Sequence, residues 1–456
     1  MKLHETTLSV TGRESASVLI IVLWICIGLV SIALYFADSM TYELRAADNR
    51  VSGLSSEQAI EGAARYVGSE LQNYVTNGMS IRPDSSQFAC EAVPVGNAHF
   101  WIIGRDPTAS STTANSIEPY FGIIDEGSKL NLNYANTNVL LYLPNMTADF
   151  AGAIQDWRGT NGSGSYDYGS AGYTAKNAPF ETEDELRLVY QANTGLLVGD
   201  DINRNGVLDA NEKASSGQIN FGLFEYTTVY SREPNFQPSG VALTNVNNFH
   251  SETQFQSFLQ SANVSSASSI AGTLYSQIQG GNSFKGMFDF AVRCRQAGMS
   301  DSDFANVYTN VTTTNVTYIR GRVNVNTASE DVLTALFEGL NNGDDSTADS
   351  AAQTLINYRE QNTNNLNSLA WVYDALGTGN AMLSTLQRGD YITTRSYQFT
   401  ADIAAVGAFG RGYRRVKFVF DISNGAPIVI YRQDLTRLGW ALGEKARQTL
   451  LANNTQ

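Results

Sequence analysis

Twenty consecutive uncharged residues, Val18 to Ala37 (VLIIVLWICIGLVSIALYFA), constrain this chain more than any other stretch. At about 1.5 Å rise per residue a helix of that length spans roughly 30 Å, the hydrocarbon thickness of a bilayer. A secretory signal has a shorter apolar core ending in small residues, whereas this run ends in Tyr35, Phe36 and Asp38, which disfavours a cleaved signal. The charges ahead of it, Lys2, Glu5, Arg13 and Glu14, nearly cancel and orient the helix only weakly. No Gly or Pro separates the run from the polar continuation, where Met40, Leu44, Ala47, Val51 and Leu54 recur at steps of four and three. That spacing predicts that the helix continues into water and packs there through one apolar stripe. Ser52 and Gly53 mark either a kink or a boundary between two helices, and Ser55 with Gln58 reads as a capping box. Helical spacing resumes at Ile60, Ala63, Ala64, Val67, Leu71 and Tyr74, and Arg82 and Pro83 end it.

The 456 residues leave room for two or three domains. A net charge of −14 argues against a nucleic-acid partner, because neutralising phosphates needs clustered Lys and Arg. Gly, Asn, Ser, Thr and Tyr are favoured over Lys, which suits an extracytoplasmic surface. Of three cysteines, Cys26 reads as a small hydrophobe in the apolar run, while Cys90 and Cys294 could form one disulfide in an oxidising compartment.

Strand-like segments, Ala98 to Gly104 and Tyr120 to Asp125, precede and follow the Ser/Thr-rich loop from Thr108 to Ser116. Helical patterns then dominate, starting at Thr147, Glu181, Glu252, Phe284 and Asp349, before strands return. Tyr397, Phe399, Ala401 and Ile403 alternate with mostly polar residues, Val416, Phe418, Phe420 and Ile422 follow, and Asn424-Gly425 marks a hairpin turn. The helical part contains a repeat. Asn131 and Asn133, followed by Ala135, Val139, Leu140, Leu143, Trp157 and Arg158, match Asn324 and Asn326, followed by Ala328, Val332, Leu333, Leu336, Tyr358 and Arg359. The paired Asn read as hydrogen-bonding caps between strand and helix.

In their order, the opening SVLIIVLW, DEGSKLNLN, NAPFETEDELRLVY, VNVNTASEDVL and the carboxyl-terminal strand pair resemble the minor pseudopilin K family of type II secretion systems (general secretion pathway protein K). The resemblance implies an α+β architecture: a long N-terminal transmembrane, pilin-like helix packed on a small antiparallel sheet, with a large inserted α-helical domain made of two related repeats. The expected division is a leader over 1–16, the membrane helix and its extension over 17–80, the first part of the sheet over 81–133, the insert over 134–390 and the last strands and tail over 391–456. The implied role is that of a structural subunit at the tip of a pseudopilus. It would sit in the bacterial inner membrane by one span, with its bulk in the periplasm, and promote the export of folded proteins. The implied partners are other minor pseudopilins through the N-terminal helix, the secreted substrate and the membrane. Family members usually carry a Gly just before the apolar run, where this chain has Ala16 with Gly12 upstream, so processing after either residue stays open. The family's carboxylate at mature position five is replaced by Ile21 or Ser17, according to the junction. The alternative reading is a single-pass anchored binding protein stabilised by calcium, and after it a helix-hairpin-helix DNA-capture protein. The acidic loop FEGLNNGDD, Phe337 to Asp345, would repel phosphate and speaks against the latter.

One motif carries chemistry. Asp201, Asn203, Asn205, Val207, Asp209 and Glu212 occupy positions 1, 3, 5, 7, 9 and 12 of a twelve-residue calcium loop, with Gly206 at the sharp turn. Calcium takes six to eight hard oxygens, and this spacing supplies most of them locally. The competing reading is a solvated Asn/Gly turn. The flanks do not read as an EF-hand helix pair, so a structural calcium loop is expected rather than a sensor. For an enzyme the sequence offers no catalytic constellation: His4, His99 and His250 are its only histidines, and HExxH, GxSxG and P-loop patterns are absent. The acidic cluster of Glu181, Glu183, Asp184 and Glu185 reads as the solvated face of a short helix.

Overall fold

In the computed structural model the residues described are 13–76, 86–106, 118–159, 166–212 and 219–453. Residues 1–12 of the expected leader over 1–16, with the junction after Gly12, the helix end at Arg82 and Pro83, and the loop from Thr108 to Ser116 lie outside them. Helix α1 (Arg13–Thr76) runs unbroken through the alternative junction after Ala16 and through Ser52, Gly53, Ser55 and Gln58. The sequence signals for a kink and a cap are therefore absorbed into one helix.

Two short strands, β1 (Val93–Val95) and β2 (Ala98–Ile103), form a hairpin, and β3 (Ile124–Asp125) follows. The helical insert then consists of three units of one plan, each closed by a two-stranded parallel ladder. The first holds β4 (Leu130–Asn131), α2 (Thr137–Leu141), α3 (Ala148–Trp157), a 3-10 helix (Glu183–Leu188), α4 (Thr194–Leu197), α5 (Leu223–Tyr226) and β5 (Thr227–Thr228), which pairs with β4. After β6 (Arg232–Pro234) the second holds β7 (Thr244–Asn245), α6 (Glu252–Ser261), α7 (Ala267–Gln279), α8 (Met287–Gln296), α9 (Asp301–Tyr308) and β8 (Val311–Thr312), paired with β7. After β9 (Tyr318–Arg320), antiparallel to β6, the third holds β10 (Val323–Asn324), α10 (Glu330–Leu340), α11 (Asp345–Gln361), α12 (Ala370–Leu376), α13 (Ala381–Leu386) and β11 (Ile392–Thr393), paired with β10. The chain ends in β12 (Gln398–Val406), β13 (Arg414–Asp421), β14 (Ile428–Asp434) and α14 (Gly443–Asn453).

The first and third units are the two repeats read from the sequence; the second was missed. In all three the first Asn side chain accepts the amide two residues on, at 3.0 Å for Asn131, 2.9 Å for Asn245 and 3.0 Å for Asn324. The second Asn clamps a distant backbone: Asn133 bonds both polar groups of Phe180, Asn247 those of Phe284, and Asn326 the carbonyl of Leu366. These are Asx turns that carry a strand into a helical layer. Arg158 and Arg359 donate to carbonyls of their own turns, at Leu132 and Ala135 and at Val325 and Ala328.

The sheet is antiparallel, in the order β1-β2-β12-β13-β14, with β3 also against β12. Phe399, Ala401, Ile403 and Ala405 of β12, with Phe100, Ile102, Val416 and Phe418, pack on Ala59, Ile60, Ala63, Val67 and Leu71 of α1. The Met40–Leu54 stripe does not take part. Met40 is 72 % and Leu44 64 % exposed, and burial begins at Ser52. At about 100° per residue Val51 and Ser52 lie on different faces, so the helix meets the sheet through its other side. Close approach there depends on the β12–β13 connection. A Cβ on Gly407 would fall 2.2 Å from the Ser52 carbonyl oxygen, and the Ser52 hydroxyl donates to the Ala408 carbonyl at 3.3 Å. Gly407→Ala should therefore destabilise the helix–sheet core by about 1–3 kcal/mol. Faster tryptic cleavage at Arg65 would report it, and unchanged cleavage would show that the connection can yield.

Cys90 lies in the helix–sheet core and Cys294 in the core of the insert, and they form no disulfide with each other. The disulfide left open by the sequence is thus ruled out by two separate hydrophobic cores.

Candidate functional site: the 201–212 loop at the sheet–insert seam

β12 is buried along its whole length, so the polar residues that alternate with Phe399, Ala401 and Ile403 do not face water. They meet the insert. Glu126 accepts the Thr400 hydroxyl at 2.6 Å and also that of Thr228 from β5. Asp125 accepts from the Gly127 amide at 2.7 Å, Asn324 at 2.9 Å, Ser396 at 2.7 Å and Thr327, which ties β3 to the third unit. Burial raises the Asp125 carboxyl although these donors pull it down. The acidic cluster is only partly a solvated face, since Glu181 is exposed while its neighbours are engaged. Glu183 is buried and holds Lys417 of β13 at 3.0 Å, Glu185 accepts the amides of Glu181 and Thr182 and pairs with Lys176, and Asp184 pairs with Arg187.

The predicted calcium loop sits in this seam, between α4 and α5. The only regular helix just ahead of it is the single turn of α4, in keeping with a loop that is not an EF-hand. Asp201, Asn203, Asn205, Val207 and Glu212 are all buried. Asp201 accepts the amides of Asn205 at 3.0 Å and Gly206 at 2.7 Å, and Asn205 accepts that of Val207 at 3.0 Å. Glu212 accepts the amides of Ile202 at 2.9 Å, Asn203 at 3.1 Å and Asp209 at 3.1 Å. Asp209 accepts from the side-chain amides of Asn203 and Asn205. Gly206 takes φ +86°, which an L side chain rarely adopts, so the turn position read from the motif is a steric requirement. Burial pushes the Asp201 carboxyl up to about 6 against the pull of Arg105, and burial also raises Glu212.

The six motif residues are therefore brought into one compact loop, with the side-chain oxygens of Asp201, Asn205, Asp209 and Glu212 turned to its own amides. Among the described residues no three Asp, Glu, His or Cys side chains are gathered tightly enough to hold a metal ion. Two observations fit a hard cation nonetheless. The donors are all oxygens, and the Asn203 Oδ1 atom is buried with no hydrogen-bond partner, a deficit that in a native fold calls for an ion or water.

The sequence did not reveal what holds the loop from behind. The Arg415 guanidinium of β13, fully buried, pairs with Asp402 at 2.8 and 2.6 Å and donates to the carbonyls of Asn203 and Arg204. Arg105 pairs with Glu225 at 2.7 Å and donates to the Arg204 carbonyl at 3.0 Å, and the Asn203 side chain donates to the Trp440 carbonyl at 2.9 Å. In the β12–β13 register Arg415 stands opposite Ala404 and reaches diagonally to Asp402, which itself stands opposite Lys417, a pairing that no local sequence signal marks.

No family model matches the chain, and no curated protein matches it in sequence. Among solved structures it is similar to the GspK-GspI-GspJ complex of the type 2 secretion system from enterotoxigenic Escherichia coli, at 11% identity and a TM-score of 0.37, covering 84% of this chain and 99% of that one.

Proposed function

We propose that this chain is a minor pseudopilin of a type II secretion system, a structural subunit at the tip of a short pilus-like assembly that works with other minor pseudopilins to promote export of folded proteins. It sits in the inner membrane by one span, with its bulk in the periplasm. The observation that carries this reading is the division of α1. Its first half is apolar and exposed from Val18 to Phe36, its second half is pinned to an antiparallel sheet, and the stripe from Met40 to Val51 between them is left uncovered. Lipid can cover the first part, and neighbouring helices suit the stripe beyond it. The tip position follows from Ile21 or Ser17 at the place of the family's carboxylate. A shaft subunit without that carboxylate would leave a neighbour's amino-terminal charge unpaired in the membrane at every repeat, whereas an end subunit need not meet one. Calcium in the 201–212 loop, held by Asp201, Asn203, Asn205, Val207, Asp209 and Glu212, would have a structural role.

Single cysteines at Leu44 and Val51, introduced for crosslinking in the membrane, test the assembly. Crosslinks to different pilin-like subunits are expected. Abundant crosslinks between two copies of this chain would refute the tip position. Full secretion by a variant with a scrambled Met40–Leu54 stripe would favour a simple anchored binding protein instead.

A further inference from the structure

The same few atoms face both ways at the 201–212 loop. Asn203 has a buried, unpartnered Oδ1, donates its side-chain nitrogen to both Asp209 of the loop and the Trp440 carbonyl, and gives its own carbonyl to Arg415. Arg204, the next residue, has its carbonyl held by both Arg415 and Arg105. Behind Arg415, its amide donates to the Thr436 hydroxyl at 3.0 Å and its carbonyl accepts the Leu435 amide at 2.8 Å, which places the chain leading to α14 on the same strand. Trp440 closes the circuit by donating its indole N–H to the Gly443 carbonyl at 2.8 Å, where α14 begins. Each guanidinium brings its own carboxylate, Asp402 for Arg415 and Glu225 for Arg105, so this grip adds no net positive charge beside the loop.

We propose that calcium binding at the loop is thermodynamically coupled to docking of the carboxyl-terminal segment, Leu435 through α14, onto the sheet. The inference rests on the calcium reading above and extends it to a second, distant segment. An ion that fixes Asn203 fixes the carbonyl that Arg415 grips and the amide that Trp440 accepts. Withdrawing it releases both, more than two hundred residues along the chain. Because coupling is reciprocal, weakening the grip must weaken calcium binding by the same factor that calcium strengthens the docking. Arg415 acts here as a positioning residue, since it touches the loop backbone and not the ion.

The test uses the full chain in detergent micelles, with calcium chloride or with chelator. Calcium affinity is read by titration calorimetry and local opening by hydrogen exchange. In the wild type, chelation should speed exchange roughly tenfold both at 201–212 and at 435–453. The double variant Asp402→Asn with Arg415→Met removes the link from the loop carbonyls to β13 without stranding a buried charge, and leaves Arg105 on the Arg204 carbonyl. It should bind calcium on the order of tenfold more weakly and lose most of the response at 435–453. Calcium binding with a response confined to 201–212, or undiminished affinity in the double variant, overturns the coupling and leaves the metal site standing. Absence of any calcium binding by the wild type overturns both.

Discussion

Replacing Arg415 by Met should destabilise the protein by about 3–5 kcal/mol, because it leaves the Asp402 carboxylate buried without its counter-charge. It also strips the Asn203 carbonyl of its donor, whereas the Arg204 carbonyl keeps Arg105. The pH dependence has a definite sign. In the wild type, burial would raise the Asp402 carboxyl, but the Arg415 guanidinium overrides this and holds it below the usual carboxylate range. A carboxyl whose pKa is lower in the folded than in the unfolded chain contributes stability that is complete above the unfolded value of about 4 and disappears as pH falls through the folded one. The wild type should therefore weaken below about pH 4. In Arg415→Met burial wins, the carboxyl rises, and protonation relieves the penalty, so the gap between variant and wild type should narrow as the pH is lowered from 7. Chemical denaturation at pH 7 and pH 5 checks this. A loss below about 1 kcal/mol, or a gap that widens in acid, would mean that Asp402 is solvated or otherwise paired.

Chelating calcium should lower the melting temperature of the full chain in detergent. A ligand that binds only the folded state adds about 2.7 kcal/mol at a hundred times its dissociation constant. The structure decides which variants can test the site. Asp201 and Glu212 cap five backbone amides of the loop between them, so alanine at either position would strand buried donors and destabilise the chain with or without metal. Asp201→Asn with Glu212→Gln keeps acceptors in place while removing the charge that attracts an ion. This pair should abolish the calcium dependence of melting and leave the melting point near that of the chelated wild type. Identical melting of the wild type in calcium and in chelator would reduce the loop to a turn.

Local pattern made much of this protein legible. The charge-free run from Val18 to Ala37 is a helix with exposed sides, the alternation at Phe399 to Ile403 is a strand, and Asn424-Gly425 is the turn between β13 and β14. The two Asn repeats are two folded units, and each of these features is written within a few residues of itself. The second unit could have been found the same way, since Asn245-Val246-Asn247 repeats the tripeptide at Asn324 to Asn326. It was obscured because Phe249 stands where the other copies have Ala135 and Ala328. Three matters belonged to the tertiary structure alone. Spacing identifies an apolar face but not what covers it, so the Met40–Leu54 stripe and the Ser52–Leu71 face read alike although only the second meets the sheet. Polar residues on a strand imply water only if nothing packs on that side, and here Thr400 meets Glu126, which also binds Thr228 of the insert, while Asp402 meets Arg415 of β13, which grips backbone carbonyls of the insert. Contacts at the seam reach across the chain: the Glu183–Lys417 ion pair and the hydrogen bond from Arg415 to the Asn203 carbonyl each join residues more than two hundred positions apart. Periodicity carries no information across such a distance. Whether a buried charge has a partner is settled only when the folded chain brings one within about 3 Å.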